Sequence, residues 1–144
     1  MTTLTAQPAR TDLADPAYQA FTLLRVGFTA APILFGLDKF IEVMADWSTY
    51  LWPGVASALP GDADTVMLAV GVIEILAGLL VAVRPRIGGY VVAAWLAGII
   101  VNLLLLGDFY DVALRDFGLL LGALSLTRLA AAFVSGGPHG ENVR

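Results

Sequence analysis

Residues 87–106, IGGYVVAAWLAGIIVNLLLL, decide the fold class. At 1.5 Å of rise per residue this stretch makes a helix about 30 Å long, the thickness of a bilayer's hydrocarbon core. Its one strongly polar side chain is Asn102. A helix in a water-soluble bundle needs a polar stripe toward solvent. This segment has none, so lipid is its natural surroundings. Three other apolar stretches meet the same length requirement, at about 17–45, 64–83 and 112–134. The sequence thus predicts an all-α protein, an integral membrane four-helix bundle over 17–134, with a cytoplasmic N-terminal tail, 1–16, and a cytoplasmic C-terminal tail, 135–144.

Local signals frame these spans. Asp15 suits an N-cap and Pro16 a first helical turn, while Asp62 or Asp64 can cap the second span. Pro32 falls inside the first span and removes a backbone donor there, which predicts a kink. The polar start, Met1 to Pro16, has no apolar run before a small-residue cleavage site and does not read as a secretory signal.

Composition narrows the chemistry. The 144 residues are 58% hydrophobic and 14% charged, with a mean hydropathy of +0.81; soluble domains carry about 25% charged residues. A net charge of −4 gives no electrostatic case for nucleic acid. With no cysteine, the chain itself offers no disulfide, thiolate nucleophile or cysteine-ligated cluster. Its single histidine, His139, stands in the polar tail, so the chain alone cannot hold a bis-histidine haem in the membrane. No metal-binding motif, nucleophile triad, phosphate loop or dinucleotide fingerprint is present.

Orientation follows the basic residues. Arg10, Arg84, Arg86, Arg128 and Arg144 fall at one set of span ends, whereas Asp46, Asp62, Asp64, Asp108 and Asp111 fall at the other. This predicts both termini in the cytoplasm. On the opposite side, residues 46–60 carry Trp47, Tyr50 and Trp52 before Pro53-Gly54. These aromatics suit a membrane–water boundary. The segment reads either as an interfacial anchor or as a lid over a ligand site.

Gly71 and Gly78, Ala94 and Gly98, and Gly118 and Gly122 supply small residues along three spans. They serve either close helix packing within the chain or self-association.

The ionisable residues inside apolar segments carry the functional question, because a charge in lipid normally turns inward and finds a partner. Glu74 lies near the middle of the second span. Lys39, Asn102, Arg115 and Asp116 lie at similar heights nearer the outer side, with Glu74 below them. The anticipated pairs are Lys39 with Asp116, or Arg115 with Asp38. Arg25, toward the inner end, can snorkel to phosphates, and Asp38 and Glu42 are structural polar candidates. Two readings stand: a salt-bridge network that sets helix order, or the wall of an outward-facing polar cavity. In the second, Lys39, Glu74, Asn102, Arg115 and Asp116 are ligand or proton-site candidates.

Leu24-Arg25-Val26-Gly27, Gly36-Leu37-Asp38-Lys39-Phe40 and Gly71-Val72-Ile73-Glu74 resemble the DoxX-like family of small four-helix bacterial membrane proteins. The positions that match are Arg25, Gly36, Lys39 and Glu74. The resemblance implies a compact bundle in the bacterial cytoplasmic membrane, near quinone-linked, oxidoreductase or stress-defence assemblies. It points to an accessory or quinone-associated subunit of a membrane redox system. Such a protein has no covalent cofactor, takes a quinone as its candidate ligand, and has oxidoreductase subunits or further copies of itself as partners. The chain has no electron carrier, so at most it is a subunit of a quinone-linked oxidoreductase. The alternatives are a transporter of a small solute or proton, and a membrane anchor of a larger respiratory or stress-response complex.

Overall fold

A computed structural model describes residues 12–134. Most of the N-terminal tail, residues 1–11, and the whole of the C-terminal tail, residues 135–144, lie outside that range. Four long helices make the body: α1, Pro16–Ile41; α3, Ala63–Val83; α4, Pro85–Leu106; and α5, Tyr110–Val134. Between α1 and α3 the chain forms a 3-10 turn, Trp47–Tyr50, and a short helix α2, Pro53–Ala58. The described residues contain no strand. All four long helices are long and apolar enough to cross a membrane, and the protein is a multi-pass membrane protein.

The termini of these helices follow from local chemistry. The Asp15 carboxylate accepts the Ala17 backbone N–H at 3.0 Å, and Pro16 fills the first turn. Asp62 does the same for α3, accepting the Thr65 N–H at 2.8 Å. Hydrogen bonds from Thr65 hold the exposed Asp62 carboxyl below its ordinary range. Its contribution to stability is therefore present above the unfolded-chain value and is lost as pH falls through the lowered one. Arg84 alone separates α3 from α4, with Pro85 in the first turn of α4. Gly107, at φ 76°, closes α4 in the left-handed conformation that glycine adopts without penalty.

α1 is shorter than the sequence predicted. It ends at Ile41, and Glu42 turns left-handed (φ 49°) while donating its N–H to Asp38 O. The segment toward Ala45 belongs to the connection. α3, α4 and α5 each begin one or two residues before their expected starts. Pro32 sits inside an α1 that runs unbroken from Pro16 to Ile41.

The most extensive contacts join α1 to α3 and α4 to α5, and the two pairs meet through α3–α4 and α1–α5. Small residues set the α1–α3 spacing. A Cβ on Gly36 would lie 2.6 Å from the Gly71 carbonyl oxygen, and one on Gly71 would lie 2.7 Å from the Gly36 carbonyl oxygen. Farther along, a Cβ on Gly78 would reach Thr29 O at 2.7 Å. Backbone touches backbone along this seam, which is how helices gain dispersion energy where lipid gives them little hydrophobic reason to associate. Gly122 packs on the Phe28 ring, whereas Gly98 and Gly118 face open space.

The interior is divided by height. Toward the Arg84 turn it carries no buried charge and is built from Phe21, Ala77, Val81, Val92, Ala93, Leu96, Ala123, Leu126 and Ala130, with the buried Thr127 hydroxyl donating to the Ala123 carbonyl of its own helix. Phe21 and Phe133 stack there at 5.6 Å. Toward the 42–62 connection, the strap end, it holds the buried charges Asp38, Lys39, Glu74 and Asp116. The outer surface is studded with exposed Leu, Val, Ile and Phe, among them Leu23, Leu37, Leu76, Val101, Leu114 and Phe117. In water such a surface would aggregate; in lipid it is the matching solvent face.

The glycine contacts predict a contrast between two substitutions. Gly71→Leu forces a side chain into the α1 backbone and should cost at least the ~1–3 kcal/mol of overpacking. Gly118→Leu should stay within about 0.5 kcal/mol of the parent. Unfolding by added denaturing detergent in bicelles measures both, and equal losses would contradict the seam.

Candidate functional site

The Gly36–Gly71 contact also positions the polar centre. It brings the Lys39 stem against Gly71, where an added Cβ would meet Lys39 Cβ at 3.1 Å. Glu74 follows Gly71 by one turn on the same face of α3. Lys39 therefore runs along α3 and donates from Nζ to Glu74 Oε2 at 2.8 Å. Both residues are buried, Lys39 at 6% and Glu74 at 8% exposure. Glu74 lies about 16 Å along α3 from Ala63, near the middle of the helix. At that depth an unpaired charge would cost several kcal/mol, and the pair is the arrangement that avoids it.

Two tryptophans enclose the pair. The Trp47 ring lies over Lys39 with Nζ 3.8 Å from a ring centroid, a cation–π contact that strengthens away from water. The Trp95 indole N–H points at Glu74 Oε1 from 3.4 Å, a long and weak hydrogen bond. Trp47 also packs edge-on against Phe35 and beside Tyr50, and Tyr50 packs on Phe109. These aromatic contacts run across the strap end of the bundle.

The strap is tied down at two points. Asp38 accepts the Val43 and Met44 backbone N–H groups at 3.1 Å and the Trp47 indole N–H at 2.8 Å. Asn102 accepts the Trp52 N–H at 2.9 Å through Oδ1 and donates from Nδ2 to Tyr50 O at 2.6 Å. Thus Asp38 and Asn102 hold backbone. Trp47 is both anchored by Asp38 and laid over Lys39, so the aromatic connection covers the polar pair.

The anticipated pairings are replaced. Lys39 binds Glu74 rather than Asp116, because the glycine seam aligns α1 with α3 and not with α5. Asp38 binds the strap rather than Arg115, because α1 stops at Ile41 and the chain folds straight back over it. Arg115 remains 65% exposed along its side chain, with Nε 3.8 Å from Oδ1 of its neighbour Asp116. Glu42 caps α1 and is exposed. Arg25 donates to the Ala82 carbonyl near the end of α3 and lies over the Phe21 ring at 5.9 Å. It meets protein on that side, supporting the last turn of α3. Among the described residues, no three potential ligands gather to hold a metal ion.

Sequence reading passed over Trp95, which joins the site from α4. A signal existed: Trp95 precedes Asn102 by seven residues and so shares its face. No family model, curated protein or solved structure matches the chain. The DoxX-like resemblance rests on its short motifs alone.

The ion pair predicts a pattern of coupling. Lys39→Met or Glu74→Met alone leaves a buried charge without its counter-ion and should cost about 3–5 kcal/mol. The double substitution should recover much of that loss. A Lys39→Met/Asp116→Asn cycle should be much closer to additive. Detergent unfolding of both cycles checks this, and stronger coupling of Lys39 to Asp116 would refute the pairing.

Proposed function

We propose that the chain is a small DoxX-like membrane subunit that accompanies a redox system and receives the ring of a quinone-class molecule at Lys39. The observation that carries this reading is the Lys39–Glu74 pair, buried beneath the Trp47 indole at the strap end. Quinone sites combine an apolar slot with a few polar groups for the carbonyl oxygens. Lys39 has three N–H donors, and Glu74 takes one of them. A planar ring can take the place that Trp47 holds over Lys39, with a carbonyl oxygen accepting from a remaining N–H. Trp95 lies on the other side of the pair and lends apolar wall.

In this reading the strap end faces out of a bacterial cytoplasmic membrane and both termini face in. The arginines at the Arg84 turn and near the end of α5 support that orientation. The chain offers no electron carrier of its own, so electrons pass through a partner oxidoreductase. An anchor subunit is the second reading. It is favoured by Asp38 and Asn102, whose bonds all go to the protein's own strap.

Tryptophan fluorescence of the full chain in lipid nanodiscs separates the two. Titration with a short-chain quinone should quench it saturably, and Lys39→Met should weaken the apparent affinity at least tenfold, about 1.4 kcal/mol. Thermal melts alongside report whether the variant is folded. Absence of saturable quenching, or equal quenching in a folded Lys39→Met protein, would leave the anchor reading.

A further inference from the structure

Only residues 107–109 join α4 to α5, so the two helices run antiparallel. Near the Arg84 turn Gly89 closes the seam between them. A Cβ there would run into the Thr127 hydroxyl and lie 3.0 Å from Ala123 O. Gly88, its neighbour, faces α3, where a Cβ would lie 2.6 Å from Val81 Cα. These two contacts fix what flanks the seam, because each residue of an α-helix turns about 100° from the last. Tyr90 therefore stands on the side of the seam away from α3, and so does Arg86, one turn before it. On α5, which runs the other way, Arg128 follows Thr127 and comes to that same side. Burial agrees: Ala123, Leu126, Thr127 and Ala130 are buried, whereas Arg86, Tyr90 and Arg128 are exposed.

Two arginines on different helices thus flank one closely packed seam, within about a helical turn of each other in height. Arg128 lies about 9 Å inside the end of α5, on a lipid-facing surface. Among the described residues, neither arginine has a carboxylate in ion-pair range. The acids at this end, Asp12 and Asp15, precede α1, which meets α5 on another face through Tyr18 and Phe133. A guanidinium so placed reaches along its stem for an anion, and phosphate oxygens match its fork of N–H donors. A zwitterionic headgroup would bring its own cation against the pair. An anionic one would not. Deeper in the membrane the same side of the seam carries exposed Leu121 and Leu124, an apolar track for an acyl chain.

We infer that the outer side of the α4–α5 seam binds one anionic phospholipid, its phosphate clasped between Arg86 and Arg128, with the Tyr90 hydroxyl beside its glycerol esters. The site lies at the end of the bundle opposite the strap, and it does not depend on the quinone reading.

Native mass spectrometry tests it on the full chain, released from nanodiscs of equal phosphatidylglycerol and phosphatidylcholine with matched acyl chains. The wild type should retain one phosphatidylglycerol per chain in preference to phosphatidylcholine. Arg86→Gln and Arg128→Gln should each lower that preference about fivefold, the effect of one arginine at an anionic surface. Arg84→Gln removes the same charge at the same end and should leave it nearly unchanged. Arg84 lies one turn before Gly88, on the side that faces α3. Should a glutamine variant fail to fold, the double variant Arg86→Lys/Arg128→Lys keeps the charge, loses the fork and should still weaken retention. Equal retention of the two lipids overturns the site. So does an Arg84→Gln loss as large as that of the seam variants, or displacement of the lipid by inorganic phosphate. Disulfide-linked dimers of Leu121→Cys that retain no phosphatidylglycerol would give this face to a second copy instead.

Discussion

The arrangement depends on a charge that cannot be left alone in lipid. Lys39 and Glu74 sit inside a hydrocarbon-facing bundle, where removing an ion from water costs far more than at a protein surface. Their contact at 2.8 Å offsets that cost, and it can form in one register of α1 against α3. Gly36 and Gly71 set the same register by a different route, through backbone contact. The two devices reinforce each other: the glycines bring the helices close enough for the pair, and the pair penalises any slip of the glycines. A seam held by dispersion alone would slide more readily, since lipid and leucine are nearly equal neighbours.

That register governs the rest of the strap end. With Lys39 turned toward α3, the adjacent Asp38 is left to meet the chain emerging from α1. It gathers Val43, Met44 and Trp47, folding the connection back over the bundle. Asn102 secures the far side through Tyr50 and Trp52. Trp47 then settles over Lys39, so one ammonium is held by a carboxylate in the bundle and an aromatic face in the strap. The half of the interior toward the Arg84 turn needs no such devices. It packs Phe21, Val81, Leu96 and Leu126 against alanines and relies on shape.

The span assignment was legible because hydropathy integrates over some twenty residues, and small errors cancel. Residues 87–106 identify a membrane helix whatever their neighbours do. The ends were less legible: α1 stops at Ile41 because Asp38 and Glu42 close it, a capping event that apolar Val43 and Met44 conceal. The polar residues were recognised, since each stands out against its apolar span, but their partners were not. Depth along a helix says which side chains share a height and leaves open which helices are adjacent. The sequence paired Lys39 with Asp116; the Gly36–Gly71 seam, which sets α1 against α3, gives it Glu74 instead. Trp95 was passed over because an indole in an apolar span reads as packing.

A direct ion pair between Lys39 and Glu74 is what the arrangement of the strap end stands on. Solid-state NMR on the protein in lipid, with ¹⁵Nζ-lysine and ¹³Cδ-glutamate labels, measures that contact without any substitution. A direct pair gives a strong dipolar coupling between Lys39 Nζ and Glu74 Cδ, of the size expected for hydrogen-bonded neighbours. No measurable coupling between them, or a lysine coupled instead to labelled Asp116, would contradict it.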